Sequence, residues 1–294
     1  MKSGFVGLIG RPNVGKSSLI NTIVKEKIAI ISDKPQTTRN MIQGIYNDEE
    51  TQIVFVDTPG IHKPVSKLGK HLNKQAYYSI NDVDVIVLLV DISEKLGPGD
   101  KFVIAKLNEV NKPVILVLNK IDKMPKPQIL SKIDEYKDLY NFDEIVPLSA
   151  LKNDNVDRLI TVIKKYLKDE IKYYSDDQVT DKSINFRLVE LVREKVLELT
   201  REEIPHAVTC LLDELKEEEK VFDVSITIVV ERPQHKKIIL GKQGIMIKEI
   251  GTRARLEMEK ILGKRVYLNL FVKVIPKWRE KESILFDLGF NDYE

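Results

Sequence analysis

The stretch Gly10-Arg-Pro-Asn-Val-Gly-Lys-Ser17 spaces two glycines, a lysine and a hydroxyl so that they can wrap an anion. The glycines let backbone N–H groups turn inward, and a helix opening at Lys16 would aim its positive end at the same point. Lys16 then reaches the β- and γ-phosphates of a nucleoside triphosphate, and Ser17 gives an oxygen to Mg2+. Gly10, Asn13, Val14, Gly15, Lys16, Ser17 and Ser18 are the expected contacts of this loop. A plain strand–turn–helix would also fit eight residues, so the reading needs support from elsewhere in the chain.

Three later motifs supply it, each closing an apolar run. In DTPG (57–60), Asp57 is placed to reach Mg2+ through its shell and Gly60 to meet the γ-phosphate. In NKID (119–122), Asn119 and Lys120 lead to Asp122, whose carboxylate can accept from guanine N1–H and the exocyclic amine. Adenine offers no such pair of donors, and an unpaired buried acceptor is costly, so GTP is favoured over ATP. In Ser149-Ala150-Leu151, the Ala150 N–H could donate to guanine O6. Four motifs in this order, at strand ends where open α/β sheets bind ligands, are unlikely to arise by chance. They resemble the G-domain pattern of translation-factor-like GTPases.

Within that pattern PQTTR (35–39) resembles the first switch, with Thr38 as the expected Mg2+ ligand and Thr37 as the near alternative. Lys16, Thr38 and Gly60 are the expected catalytic group. Ile61 stands where many GTPases carry a water-orienting glutamine, and an isoleucine cannot hydrogen-bond water. Hydrolysis is therefore either negligible or assisted by another group. In the potassium-activated branch that the loop resembles, an asparagine at the position of Asn13 helps hold K+, which implies slow intrinsic turnover stimulated by K+. A loop asparagine supporting the turn is the equal alternative. Arg39 and His62 are lesser candidates, expected on a mobile switch surface.

A second glycine-bounded turn, Gly241-Lys242-Gln243-Gly244, lies between two helix-like stretches far down the chain. A loop of this type can clamp single-stranded nucleic acid, with Lys236, Lys237, Lys242, Lys248, Arg253 and Arg255 attracting phosphate and Gln243 at the tip. Ile239, Ile245, Ile247 and Ile250 are groove or core candidates, Ile250 the better core candidate. Residues 232–281 hold 14 Lys/Arg against 4 Asp/Glu, although the whole chain is only +2. A local excess of that size suits a polyanionic partner.

The elements that must position these groups fall into two grammars. FVGLIG, TQIVFVD, DVIVLLVD, PVILVLNK and EIVPLSA read as buried strands. Helical stretches near 16–25, 68–80, 100–110, 127–139 and 153–170 separate them, which predicts a mostly parallel sheet with helices on both faces. After the polar stretch YYSDDQVTDKS the order becomes helix (184–202), strands (206–215 and 221–231), helix (234–240), glycine turn, helix (244–262) and strand (264–275). Alternation at Val224, Ile226, Ile228 and Val230, and again from Val266 to Val274, predicts half-exposed antiparallel strands. Ile247, Ile250, Ala254 and Ile261 share the inner face of the long helix. The expected domains are 1–172, a linker and hinge at 173–183, and a smaller α+β domain at 184–294. The apolar tail after Trp278 is expected to pack over the second sheet.

Other classes are excluded or disfavoured. One cysteine, Cys210, allows no internal disulfide and no cysteine-based metal cluster, and fits a reducing cytoplasm. MKSGFVGLIGRP has no signal-peptide organisation, and the most apolar run, VIVLLV, is too short to cross a bilayer.

With GRPNVGKSSLIN, KPQTTRN, DTPGIHKP, NKID, SAL, REEIPH and GKQGIMIKEIG all in place, the chain resembles the Era family of bacterial GTPases over nearly its whole length. The resemblance implies a P-loop G domain and a C-terminal type II KH domain, with GTP or GDP and Mg2+ as ligands. It also implies binding near the 3′ end of 16S rRNA, a role in maturing the 30S subunit, and peripheral contact with the cytoplasmic face of the cell membrane. A cytoplasmic monomer is expected. A membrane-associated signalling GTPase and a constitutive RNA-binding protein with structural nucleotide are the alternative readings.

Overall fold

Strands rich in Val, Ile and Leu without alternation are stable only where both sheet faces are covered, and the first half of the chain supplies that cover. The computed structural model describes residues 1–34, 37–61, 66–288 and 290. Its contacts divide the chain into two units: 1–29, 38–65 and 69–181, then 30–37, 66–68 and 182–294.

In the first unit β1 (Lys2–Ile9), β2 (Ile42–Asn47), β3 (Thr51–Asp57), β4 (Val85–Asp91), β5 (Val114–Asn119) and β6 (Glu144–Leu148) form one sheet in the order β2-β3-β1-β4-β5-β6. All pairings are parallel except β2 with β3. One face is covered by α2 (Lys67–Asn81) and α3 (Pro98–Leu107), through Ala76, Ile80, Val103 and Leu107 packed on Ile9, Ile86, Leu88 and Leu116. The remaining helices are α1 (Lys16–Val24), α4 (Lys126–Lys137) and α5 (Val156–Ile163). Buried Leu19, Ile20, Leu159 and Ile163 give α1 and α5 their inner faces. Because β1 has β3 on one side and β4 on the other, the loop after β1 opens at the switch point of the sheet, where α/β folds bind ligands.

Strand β2 has no counterpart among the sequence expectations. Gly44 interrupts its pattern, and a Cβ there would sit 2.6 Å from the Ile20 side chain. The expected helix over 153–170 is shorter, with Asn153 and Asn155 at positive φ before α5 opens.

Residues 173–181 lie along the edge of the first sheet: the backbone N–H groups of Tyr173 and Tyr174 donate to Gln52 Oε1 at 2.8 and 3.0 Å, and Gln43 N–H donates to Asp181 Oδ1 at 2.8 Å. Side-chain acceptors thus seat most of this polar stretch on the first unit, and the division between units falls inside the expected linker, between 181 and 182.

The second unit contains α6 (Ile184–Leu199), β7 (Val208–Glu217), β8 (Val221–Val230), α7 (Pro233–Leu240), α8 (Ile245–Leu262), β9 (Arg265–Val274) and α9 (Glu282–Asp287). Its sheet order is β7-β8-β9; β7 and β8 are antiparallel, but β9 runs parallel to β8. That corrects the all-antiparallel expectation, because a period of two fixes which side chains face the core and says nothing of strand direction. Leu188, Val192, Val196, Val224, Ile226, Ile228, Ile250, Ala254 and Met258 form the core. Trp278 is fully buried, its indole N–H donates to Ala207 C=O at 3.1 Å, and it stacks on Phe290.

Candidate nucleotide site and nucleic-acid loop

The loop after β1 is braced from every side. Lys16 is buried, and its ammonium donates to the carbonyls of Gly10 (3.3 Å) and Arg11 (3.1 Å). Burial pushes its pKa down to about 8, with Asp57 opposing. Thr58 Oγ1 donates to Leu8 C=O at 2.8 Å and Ile61 N–H to Gly10 C=O at 3.2 Å, which seats DTPG on the loop. A Cβ on Gly60 would lie 2.7 Å from the Pro12 nitrogen, so only glycine permits this approach.

Three oxygens meet beside Lys16. Ser17 Oγ donates to Asp57 Oδ2 at 2.7 Å and lies 2.9 Å from Thr38 Oγ1. Asp57 is fully buried and its Oδ1 has no partner. Burial raises its pKa, with Lys16, Ser17 and Thr38 opposing. Two hydroxyls and a carboxylate with an unsatisfied oxygen are hard donors that fit Mg2+, a metal that takes a few protein oxygens and completes its shell with water and phosphate. Thr37, the alternative ligand, belongs to the second unit, and its hydroxyl donates to Lys34 C=O at 2.6 Å.

Asn119 ties the base-binding loops to the phosphate loop. Its Nδ2 donates to Val14 C=O at 2.8 Å, while its Oδ1 accepts from Lys120 N–H at 2.8 Å and Ala150 N–H at 3.0 Å. The Ala150 N–H expected on guanine O6 is thus engaged within the protein. Ser149 Oγ donates to Asp122 Oδ1, which orients an exposed carboxylate. Lys120 sits at φ 69, donates to Asn13 C=O at 2.8 Å and pairs with Asp91 at 2.5 Å. Asn13 is exposed at φ 66. Ser18 is half-buried in the first turn of α1, and Leu151 stands 76% exposed beside these loops.

In the second unit, Gly241 (φ 71) and Gly244 (φ 77) bound the turn between α7 and α8, and Gln243 between them is also left-handed (φ 54). A Cβ on Gly241 would lie 2.7 Å from Met246 Cβ, while one on Gly244 would meet nothing within 4 Å. Lys237, Lys242, Gln243 and Lys248 are exposed and Lys236 half-buried. Arg253 and Arg255 pair with Glu249 and Glu259 one turn away, at 2.7 and 2.8 Å, so much of their charge is answered locally. Ile239 and Ile250 are fully buried, Ile247 half-buried, and Ile245 is 65% exposed beside the turn.

Residues 5–120 match a family model described as a 50S ribosome-binding GTPase, and residues 203–279 match one described as a KH domain. Over the whole length the chain resembles Era in complex with MgGDPNP and nucleotides 1506–1542 of 16S ribosomal RNA. The identity is 40%, with 99% of this chain and 100% of that one covered, at a TM-score of 0.96. A single-residue variant of Aquifex aeolicus Era bound to GDP·AlF4– is 41% identical, with the same coverage and TM-score. The chain belongs to the Era family.

As an Era-family GTPase the chain has a P-loop G domain and a C-terminal KH domain, and several of its residues behave differently from their sequence reading. Ile61, at the position where many GTPases carry a glutamine, is buried in the core with Ala76, Ile80 and Val83. Arg39 is buried and not on a mobile surface. Pro35, Gln36 and His62 lie outside the described residues. Asp91 and Thr58 have no role in the sequence reading. Each sits at the C-terminal end of a strand or just past it, as a polar residue at the ligand edge of an otherwise apolar run, and that position is the signal that could have found them.

Proposed function

We propose that this Era-family GTPase is a switch whose GTP state controls binding to the 3′ end of 16S rRNA, and that it assists maturation of the 30S subunit. The observation that carries the reading is the convergence of Ser17, Thr38 and the unsatisfied Asp57 carboxylate beside Lys16, in a chain that also presents a cationic glycine turn. The likeness to Era bound to 16S rRNA nucleotides supports the choice of RNA.

Each residue has a task in that reading. Ser17, Thr38 and Asp57 would hold Mg2+, which neutralises charge on the β- and γ-phosphate oxygens. Lys16 exchanges two backbone carbonyls for phosphate oxygens, so an ammonium that burial has weakened gains a full counter-charge. Asp122, fixed by Ser149, accepts from the guanine edge. Asn119 keeps the three loops in one register. Gly60, flush against Pro12, is placed to sense the γ-phosphate. In the KH unit, the left-handed turn lets an RNA backbone approach Lys237, Lys242 and Lys248, with Ile245 and Ile247 under the bases.

With Ile61 in the core, charge developing on the phosphates needs another partner, and K+ beside Asn13 is our choice. Turnover equal in K+ and Na+ buffers would remove it. The protein is taken to work as a cytoplasmic monomer; the basic stretch at 232–281 suits transient contact with an anionic membrane face, and failure to co-sediment with anionic vesicles would end that part.

The deciding experiment measures binding of the full chain to a single-stranded RNA from the 3′ end of 16S rRNA, with a GTP analogue and with GDP. Tighter binding in one state supports the switch. Equal binding leaves an RNA-binding GTPase without coupling, and no binding in either state overturns the RNA reading.

A further inference from the structure

Arg11 and Asn13, the loop residues on either side of Pro12, are both tethered to one short segment of the first unit. That segment, residues 91–100, joins the end of β4 to the first turn of α3.

Arg11 reaches it with its own side chain. Nη1 donates to Asp100 Oδ2 and Nη2 to Glu94 Oε2, both at 2.7 Å. Asp100 is almost wholly buried, and the same oxygen accepts the Gly97 N–H at 3.0 Å, which caps α3. A Cβ on Gly99 would lie 2.9 Å from Arg11 Cδ, so the helix is bare where the guanidinium stem crosses it. Val103, Ile104 and Leu107 sink α3 into the core, which makes its N-terminus a fixed point. The Glu94 side chain is 56% exposed, so its share in holding Arg11 is small.

Asn13 is reached through Lys120, whose ammonium donates to the Asn13 C=O and pairs with Asp91. Asp91 is buried, and its Oδ1 accepts the Ser93 N–H at 3.0 Å. The Ile92 N–H donates to Asn119 C=O at 3.2 Å and seats the start of the segment. Between the two tethered residues lies Pro12, against which Gly60 packs, and the Arg11 C=O accepts from Lys16. Segment 91–100 thus fixes the loop atoms that touch both Lys16 and Gly60.

The sign of the charges separates two roles for this segment. Asp91, Glu94 and Asp100 put three carboxylates behind a loop that must receive a polyphosphate, and like charges repel. Arg11 and Lys120 supply two cations against them. Carboxylates that stood there without a role in the site would weaken nucleotide binding, and their removal would leave affinity unchanged or improve it. Carboxylates that keep the loop in shape would do the opposite.

We infer that Asp91 and Asp100 are positioning residues for the phosphate loop, holding Asn13 through Lys120 and Arg11 directly, so that the loop is set before nucleotide arrives. The inference rests on nucleotide binding by the G domain and is independent of the switch and RNA readings. A guanidinium against a nearly buried carboxylate has few directions open to it, which is what a tether requires. Bound phosphates draw the loop N–H groups into place with their own bonds. A loop that has lost a tether therefore still reaches the reactive arrangement, at a cost in binding. The loss falls on GTP and GDP alike and spares the chemical step.

The test uses the full-length protein and the variants Asp100→Asn, Arg11→Gln, their double mutant and Asp91→Asn. Each is assayed by steady-state GTP hydrolysis and by binding of fluorescently labelled GDP, below its unfolding temperature. Asp100→Asn is expected to raise KM for GTP and Kd for GDP about tenfold, with kcat kept within about threefold. The double mutant should lose no more than about twofold beyond the worse single variant, because both cut one tether. Asp91→Asn, acting on the other tether, should shift KM and Kd in the same direction.

Unchanged or tighter nucleotide binding in Asp100→Asn and Asp91→Asn would show that these carboxylates only support the fold, and would overturn the inference. So would a fall in kcat at unchanged KM, which would move their effect to the transition state. If Asp100→Asn does not fold, Arg11→Lys keeps a cation beside Asp100 but loses the fork. A KM and a GDP Kd raised about threefold would then support the tether, and parental values would refute it.

Discussion

The two glycine turns of this chain solve the same problem, close approach to phosphate, in opposite ways. Around Gly10–Ser17 the backbone is held by its neighbours: Asn119 and Lys120 brace Val14 and Asn13, Ile61 N–H caps Gly10, and Pro12 leaves no room for a side chain at Gly60. The Gly241–Gly244 turn is closed only at its first glycine, where a Cβ would press on Met246; nothing lies within 4 Å of the place where a Gly244 Cβ would be, and Lys237, Lys242 and Lys248 are exposed. A small anion that must be polarised and cleaved requires donors fixed before it arrives, in a place that excludes water. A polymer that passes over a surface needs only freedom of approach and charge. The density of bracing thus separates a reaction site from a landing site when the sequence motifs look alike.

The largest effect should come from the braced site. Lys16→Ala is expected to reduce GTP turnover by roughly 100-fold, in line with the loss of one preorganised donor to developing charge. Steady-state phosphate release would show it, and a loss below about fivefold would mean that Lys16 is not directed at the reacting phosphate. The open site should respond next. Replacing Gly241 and Gly244 together with Asp puts two carboxylates at positive φ where a phosphate chain must pass. RNA affinity should drop at least tenfold, or about 1.4 kcal/mol. Unchanged affinity in filter binding would place the RNA somewhere else on the unit.

A sharper contrast uses one methyl group in each turn. In Gly15→Ala the new Cβ would lie 2.2 Å from Asn119 Nδ2, at φ 102, and Asn119 cannot step aside without giving up its bonds to Val14, Lys120 and Ala150. A loss of about 2 kcal/mol in stability of the G domain is expected. Gly244→Ala meets no atom and carries only the left-handed strain at φ 77, about 1 kcal/mol. Urea unfolding of the two variants compares them directly. Equal losses would show that the turns are equally constrained and would dissolve the distinction drawn from packing.

The chemistry was legible because it is written in short runs. Gly10–Ser17, Asp57–Gly60, Asn119–Asp122 and Ser149–Leu151 each close a strand, and the parallel sheet brings strand ends together whatever the details. The bracing was not legible, because it depends on pairs far apart in the chain: Asn119 with Val14 and Ala150, Lys120 with Asp91, Arg193 with Thr37. Nor could residues 30–37 be assigned to the KH unit. Ile30 and Ile31 belong to no motif, and only Leu188, Val192 and Glu194, far along the chain, give them their place. The direction of β9 escaped for a different reason: alternation fixes a face, while direction depends on α7 and α8 crossing between β8 and β9.

The smallest expected effect tests how charge is used at the open turn. Lys242 and Lys248 have no ion-pair partner among the described residues, whereas Arg253 on the same helix as Lys248 is bonded to Glu249 at 2.7 Å. A cation already answered by a neighbour releases fewer counterions when phosphate arrives. Lys242→Ala should therefore weaken RNA binding about threefold and flatten the plot of log affinity against log salt by about 0.7. Arg253→Ala should change the slope by much less, since the phosphate it could contact competes with Glu249. An Arg253→Ala slope change as large as that of Lys242→Ala would mean that RNA displaces the Glu249 pair, and the landing surface would then extend along α8 well beyond the turn.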